Sequence, residues 1–551
     1  MSKNISHLSG RKGLDQNLFE TIGNQSQSLG ALPLEESKSI AEEFLLGTAN
    51  VFGTASFYDF TRDSNKGKKI YLCNGSACLV SDTQNKLKRE LREHFEEHEI
   101  GEMCCLGRCY ENAAFHYQGH NYSQLEKNQI SEIVANPKEI KNEYNVIAKG
   151  QRILTGNEKR IEDYSQYFGF LKQTKEQLLQ EIKDSNLRGR GGAGFPTWIK
   201  LEGCKAAQSD TKFIVCNADE GDPGSFSDRY LLEEKMPLVL IGMMIEGFIT
   251  GAAKAVVYIR AEYPESVRIA QQTVDEFTQR GWLGNNILGS GFDFTFKIIK
   301  AQGAYICGEE TALLSSIEGQ RPEVRVRPPF PVQEGLFRKP TVVNNVETLA
   351  SLPWICLNGG AHYAKIGTSK STGTKLISLD SGFVHSGIAE VPMGTSLKEL
   401  VYDLAGGFKR ETKALHIGGP LGGLVPMNKI EDLTVDFESF SSQGFMLGHA
   451  SIISIPQDYP MIQYIEHLFE FTAHESCGKC FPCRIGSTRG KELIQKAQQD
   501  PSYKIDSQLL LDLLDTMKRG SLCALGGGIP LPVYNALQYF KEELEIYIKP
   551  V

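Results

Sequence analysis

Three cysteines on one tight turn, Cys477-Gly478-Lys479-Cys480-Phe481-Pro482-Cys483, constrain this chain more than any other stretch. At C-x-x-C-x-x-C spacing each sulfur can face a common centre, and a cubane iron–sulfur cluster needs four thiolates. Cys523, in Ser521-Leu522-Cys523-Ala524, can supply the fourth after enough chain for a helix out and back. The spacing alone also permits a zinc knuckle or, in a secreted protein, a disulfide turn. The expectation is a [4Fe-4S] cluster on Cys477, Cys480, Cys483 and Cys523, because the rest of the chain reads as redox machinery.

A second cysteine set lies near the N-terminus. A strand at Lys69–Leu72 runs into Cys73-Asn74-Gly75-Ser76-Ala77-Cys78, and a second strand is predicted before Cys105-Leu106-Gly107-Arg108-Cys109. An amphipathic helix, Thr83–His98, separates them. Two loops that each bring two thiolates suit a [2Fe-2S] centre, one pair per iron. Zinc or redox disulfides are the alternatives, although neither pair has the C-x-x-C spacing of thioredoxin-like redox sites. Cys104 adjoins Cys105, so the ligand is not strictly fixed there; spacing to Gly107 and Cys109 favours Cys105. The remaining Cys104, Cys204, Cys216, Cys307 and Cys356 read as buried thiols.

At 551 residues, 41% of them apolar and 23% charged, the chain has room for three to five domains. A net charge of −8 argues against nucleic acid as a partner. The longest apolar runs, such as Leu238–Ile245, fall short of a membrane span, and no signal-peptide core is visible, so a cytoplasmic protein without membrane insertion is expected. Residues 1–30, rich in Ser, Asn, Gly and Gln, read as a mobile arm. Helices are predicted at Leu34–Leu46 and Val51–Phe60.

From Leu178 the character changes. Gly189-Arg190-Gly191-Gly192-Ala193-Gly194 contains G-x-G-x-x-G, but no convincing strand precedes it, so it is a weak dinucleotide signal. Physically such a loop offers bare backbone N–H groups to an anion, with Lys200 placed to meet a phosphate. A strand at Lys212–Cys216 then ends in the polar cluster Asn217-Ala218-Asp219-Glu220-Gly221-Asp222. Open α/β sheets hold ligands at that end of their strands. Met236–Phe248 reads as a buried helix and Ala255–Ile259 as a strand feeding Arg260-Ala261-Glu262-Tyr263. Residues 372–456, with short strands, glycine-rich turns and a helix at Leu397–Leu404, read as a small β-grasp module. From Met461 the pattern is helical, broken at the two cysteine motifs.

VFGTASFYDF, CNGSAC and CLGRC resemble the thioredoxin-fold [2Fe-2S] subunit of NADH dehydrogenases, the 24 kDa type of respiratory complex I. RGRGGAGFPT, CNADE, GAYICGEETAL, RPPFP, NNVETL and ESCGKCFPCR, in that order, resemble the 51 kDa-type flavoprotein subunit of the same complexes. The resemblance implies a multidomain α/β chain. Its parts would be a thioredoxin-like [2Fe-2S] domain (31–140), a Rossmann-like FMN- and NADH-binding domain (141–371), a β-grasp module (372–456) and a [4Fe-4S] helical bundle (457–551). Carried over by motif, Gly189, Gly191, Gly192 and Lys200 would hold the FMN phosphate. Asn217, Asp219, Glu220, Gly308, Asn344 and Asn345 would meet its ring and ribityl chain. Phe195, Glu310, Arg327 and Phe330 would receive NADH, with Tyr305 and Glu309 beside them, and Glu220 and Glu310 would be the catalytic carboxylates. The acidity of Glu310, with no evident arginine pair near it, favours NADH over NADPH.

Two departures matter. LEGCK follows FPTWIK where many relatives carry an aromatic segment. Gly221-Asp222 replaces the Gly-Glu usual in quinone-linked versions. The fusion, the Gly-Asp pair and a C-terminus without a ferredoxin extension favour the β subunit of a soluble NAD-dependent formate dehydrogenase, partnered by a molybdopterin-binding α subunit. The diaphorase subunit of an NAD-reducing hydrogenase is the first alternative, and a respiratory complex I subunit the second.

Overall fold

The computed structural model describes residues 13–550. A four-stranded parallel sheet carries the middle of the chain, in the order Thr295–Lys300, Lys254–Ile259, Phe213–Ala218, Thr341–Asn345. Ile214, Val215, Val256, Val257 and Val342 are all buried, as parallel strands covered on both faces require. One cover is Met236–Thr250, buried along nearly its whole length, so its apolar run reads as core rather than as an amphipathic face. Gly242 lets it press against Val346–Asn358: a Cβ at that position would lie 2.0 Å from the Leu349 carbonyl oxygen.

The N-terminal sheet has the order Ile100–Met103, Ile70–Cys73, Phe115–Tyr117, His120–Tyr122, parallel in the first pair and antiparallel in the rest. Both predicted strands therefore deliver the chain to a cysteine loop. The helix between them is shorter than predicted, Gln84–Leu91. Beyond it, Glu96 and Glu99 reciprocally cap a separate turn, Glu97–Glu99. Leu34–Glu43 and Thr48–Ala55 are the two preceding helices.

Two expectations are corrected. Residues 1–12 lie outside the described residues, but the rest of the predicted arm is structured: Leu18–Leu29 is a helix whose N-cap, Asn17, accepts from Glu20 N–H. The Asn17 amide also donates to the Ile317 carbonyl at 2.9 Å. Phe19 packs 5.3 Å from the Tyr58 ring and 6.1 Å from Tyr258. Three apolar residues, Leu18, Phe19 and Ile22, anchor the helix, too few to stand out against polar neighbours. The second correction concerns the β-grasp module. Its six-stranded sheet runs Gly423–Pro426, Thr412–Ile417, Ser451–Pro456, Thr374–Leu379, Gly387–Pro392, Val146–Ala148. The last strand comes from the stretch assigned to the flavin domain and pairs parallel with Gly387–Pro392. Three residues are too few to show a strand period.

Met461–Glu475, Phe481–Gln499, Ser507–Gly520 and Pro530–Tyr539 form the C-terminal bundle. Among the described residues no helix is long and apolar enough to cross a membrane.

Candidate functional site

The C-terminal ends of the parallel strands bring Asn217, Asp219, Arg260, Asn344 and Asn345 to one edge of the sheet. The glycine-rich loop lies across it, between Lys175–Ser185 and Thr197–Ala206, so a helix and not a strand precedes it. Gly189 N–H donates to the Phe195 carbonyl at 2.8 Å, closing the loop on itself. Arg190 is buried and pins it, with its backbone N–H on Thr348 Oγ1 at 2.8 Å and its guanidinium on the Thr372 carbonyl and the Tyr363 hydroxyl. A Cβ on Gly191 would meet Asn345 Cβ at 3.0 Å, and Gly192, at φ +114°, faces the backbone of Gly448 and His449. The loop thus passes the strand ends at backbone distance. Phe195 and Phe330 stand 46% and 50% exposed on their loops, available as stacking surfaces.

Several predicted site residues have structural partners. Asn217 donates to the Gly308 carbonyl at 2.7 Å. Asn344 donates to Glu246 Oε1 at 2.6 Å, and burial pushes that carboxyl up to about 8. Asn345 caps Val346–Asn358 and donates to Asp228 at 2.7 Å. Asp219 is buried, with its carboxyl well above the usual range because of that burial, and Oδ2 lacks a partner. A buried orphan acceptor beside a cradle of glycines fits a polar ligand that supplies the missing donor.

Glu220 is corrected. Its Oε1 accepts from Ser225, Ser227 and Asp228 N–H, and its Oε2 accepts from Arg229 N–H and the Tyr263 hydroxyl. It anchors the start of Ser227–Glu234 and has no lone pair to spare for catalysis. Glu309 is likewise an N-cap, accepting from Thr311 and Ala312 N–H at 2.9 Å. Glu310 differs: its carboxylate meets Lys200 Nζ at 3.3 Å and Arg327 Nη1 at 3.0 Å. The expectation that Glu310 has no arginine pair near it is met by one arginine and one lysine, which offset its charge. Lys200 also donates to the Val343 carbonyl at 2.8 Å.

Sequence reasoning placed Asp222 in the polar cluster and noted it as a departure but gave it no role, yet it sits among site residues. Its Oδ1 accepts from the Tyr305 hydroxyl at 2.9 Å and its Oδ2 faces His449 Nε2 at 3.2 Å. Burial lowers the His449 pKa, but the Asp222 carboxylate outweighs it and the net shift is upward. His449 comes from the β-grasp module, so nothing in the local sequence linked the two.

The N-terminal thiols converge. Cys73, Cys78, Cys105 and Cys109 are all 1–2% exposed, and Cys105 and Cys109 sulfurs lie 3.3 Å apart. Cys73 hydrogen-bonds to Cys105 and Cys78. Hydrogen bonds from Cys109 and Cys73 hold Cys105 well below the usual thiol range, with Arg260 adding to the effect. Cys104 is only partly buried and outside this ring, whereas Cys204, Cys216, Cys307 and Cys356 are buried as expected. Four buried soft donors with no disulfide fit a metal centre.

The C-terminal thiols are arranged differently. Cys480 is the N-cap of Phe481–Gln499, Cys483 lies in its first turn, and Cys523 is the N-cap of Ala524–Gly528. Burial pushes Cys483 up to about 11 and Cys523 up to about 12, and Cys477 and Cys483 each bear on Cys523 electrostatically. A Cβ on Gly526 would come within 3.0 Å of Cys483 Sγ, so the glycine lets the two ligand-bearing turns close.

The chain matches three family models: a Nuo51 FMN-binding domain over residues 182–354, a thioredoxin-like [2Fe-2S] ferredoxin over 8–138, and the NADH-ubiquinone oxidoreductase-F iron-sulfur binding region over 463–547. It is 34% identical over 561 residues to the NAD-reducing hydrogenase HoxS subunit alpha of Cupriavidus necator, covering 95% of this chain and 91% of that one. With the NADP-reducing hydrogenase subunit HndC of Solidesulfovibrio fructosivorans it shares 41% over 396 residues, 70% of this chain and 80% of the relative. With an NADH-quinone oxidoreductase chain of Escherichia coli it shares 37% over 378 residues, 68% of this chain and 85% of the relative. A crystal structure of an NAD+-reducing [NiFe]-hydrogenase in the H2-reduced state superposes with a TM-score of 0.85 at 26% identity, covering 97% of this chain and 94% of that one.

Proposed function

This chain belongs to the NADH dehydrogenase flavoprotein family, with the thioredoxin-like [2Fe-2S] domain fused ahead of the 51 kDa-type flavoprotein, and from that premise we propose residue roles and a redox partner. It is an NADH-oxidising flavin iron–sulfur subunit with FMN, [2Fe-2S] and [4Fe-4S] as its cofactors. FMN supplies hydride exchange with the nicotinamide and one-electron exchange with the clusters.

The chain's own contribution is to bind, orient and exclude water. Gly191 and Gly192 present backbone N–H groups to the phosphate end, while Gly189, whose N–H closes the loop on the Phe195 carbonyl, shapes the turn and Lys200 adds charge at the start of its helix. Asn217, Asp219, Gly308, Asn344 and Asn345 form the polar floor, and Asp219 Oδ2 accepts from the ligand. Phe195 and Phe330 flank the nucleotide, while Glu310, held between Lys200 and Arg327, accepts from it. Cys73, Cys78, Cys105 and Cys109 ligate the [2Fe-2S] centre and Cys477, Cys480, Cys483 and Cys523 the [4Fe-4S] cluster. One observation carries this reading: the loop, the strand ends and Glu310 line one cleft edge, with a four-thiol set in each flanking domain. Purified protein should show a flavin spectrum and reduce an artificial dye with NADH; absence of both overturns the reading.

Different observations support two electron donors. The fused [2Fe-2S] domain together with Gly221-Asp222, a pair the resemblance assigns to soluble formate dehydrogenases and hydrogenases alike, supports a molybdopterin formate dehydrogenase α subunit, making this chain the β subunit of a cytoplasmic NAD-dependent enzyme. The hydrogenase relative aligned over 95% of the chain supports a nickel–iron partner. Molybdenum or nickel in the co-purified native complex, with formate- or H2-dependent NAD+ reduction, decides between them.

A further inference from the structure

The cysteine loop at residues 104–109 is held from outside its own domain by two buried arginines. Arg260, 2% exposed, leaves the end of Lys254–Ile259 and donates through Nη2 to the Cys104 carbonyl at 3.0 Å. Through Nη1 the same guanidinium donates to the Glu220 carbonyl, in the polar loop of the flavin cleft. Arg229 donates to the Leu106 carbonyl at 3.0 Å and to the Gly107 carbonyl at 3.4 Å. Tyr263 lies between them, 5.0 Å from Arg260 and 5.2 Å from Arg229. Its ring takes the space beside Gly107, where a Cβ would be 2.7 Å from it. Gly224, from the same polar loop, donates its N–H to Cys109. The two cations are not equivalent. Arg229 faces two carboxylates, Glu233 at 2.8 Å and Glu265 at 3.3 Å, which offset its charge. Arg260 is ion-paired to one carboxylate, Glu262 at 2.8 Å, with the buried Asp219 bearing on it more weakly, and its Nε has no hydrogen-bond partner.

We infer that Arg260 is a positioning residue for the [2Fe-2S] centre that raises its reduction potential and ties it to the flavin loop. The inference rests on Cys73, Cys78, Cys105 and Cys109 being that centre's ligands. Reduction adds one electron to the centre, and a fixed positive charge nearby in a buried setting favours the state with more negative charge. Because one planar guanidinium bridges the Glu220 and Cys104 carbonyls, it also fixes the spacing between the two redox sites.

The test is an EPR-monitored redox titration of the full chain loaded with its cofactors. In Arg260→Gln the rhombic [2Fe-2S] signal should appear only at lower potential, with the reduced fraction at the wild-type midpoint falling several-fold. Arg260→Lys should restore most of the shift. Glu262→Gln, which removes the carboxylate facing Arg260, should move the midpoint the other way. The [4Fe-4S] midpoint should stay put in all three. An unchanged midpoint in Arg260→Gln, or a shift of the same sign in Glu262→Gln, overturns the inference. If Arg260→Gln loses the signal through misfolding, the sign in Glu262→Gln decides. A wild-type protein with no rhombic signal lost in Cys73→Ser overturns the ligand reading and the role of Arg260 with it.

Discussion

The two thiol sets differ in how they are enclosed. The N-terminal four are 1–2% exposed and walled in by other parts of the chain: Arg229, Arg260 and Gly224 of the flavin domain, and Ser381 N–H on the Cys109 carbonyl at 2.9 Å. His467, from Met461–Glu475, adds a contact to Ser76 at 3.0 Å. Of the C-terminal four, Cys480, Cys483 and Cys523 sit on helix starts and Cys477 in the turn before them, with Cys480 and Cys523 only partly buried. Phe481 is 67% exposed beside them, and Ile485 and Leu522 are exposed too. A centre that must hand electrons to another subunit needs a short path to the surface, and exposed apolar side chains around it mark a docking face. The comparison teaches that equal donor sets acquire different access to the surface from what covers them.

The most drastic way to break the comparison is to remove one cluster at a time. Cys480→Ser should lower iron from about six atoms per chain (four plus two) to about two, abolishing electron delivery to a partner while NADH:dye activity largely survives. Iron and EPR assays check this; six irons retained would mean that Cys480 is not a ligand. Cys73→Ser should instead leave partner reduction partly active. It should lower the melting temperature more than Cys480→Ser, by about 4–8 °C, because the lost centre lies at a junction of domains rather than at a surface. Calorimetry on both variants tests the ranking.

The docking face is probed more gently by Phe481→Glu. A charge placed on an exposed apolar anchor should weaken association with the partner about tenfold or more, with dye activity and both EPR signals unchanged. Binding measured by interferometry checks it; full affinity would move the exit elsewhere.

The smallest effect on electron transfer concerns the sheet between the two sets. Burial raises the Glu246 pKa to about 8, so the folded state holds a proton that the unfolded chain releases near the ordinary carboxyl value. The associated stability is present below about pH 4.5 and is lost as pH rises toward 8, by about 4–5 kcal/mol at most. Glu246→Gln keeps a neutral partner for Asn344 and should flatten this slope between pH 5 and 8 without touching either cluster. An unchanged slope in thermal melts would show that Glu246 titrates normally.

Much of this protein was legible in the sequence because its chemistry is local. Both cysteine sets announce themselves by spacing, since ligands on one turn must sit at fixed intervals. The central strands announce themselves by unbroken apolar runs, since a parallel sheet buries both faces. The glycine-rich loop and the polar ends of the strands likewise follow from backbone access and α/β topology. What the sequence left open depends on partners far along the chain. Glu220 reads as a catalytic carboxylate until Ser225, Ser227 and Tyr263 claim its oxygens, and nothing along the chain near Glu310 shows that Lys200 and Arg327 both pair with it. Val146–Ala148 becomes a strand only because Gly387–Pro392 offers an edge. Leu18–Leu29 becomes a helix docked on the flavin domain only because the Ile317 carbonyl and the Tyr58 and Tyr258 rings receive it. Arg260 shows the same limit, an ordinary residue after a strand until a loop more than a hundred positions earlier folds against it. Spacing along the chain fixes which atoms can share a centre; only packing between distant segments decides which charges stay free to act.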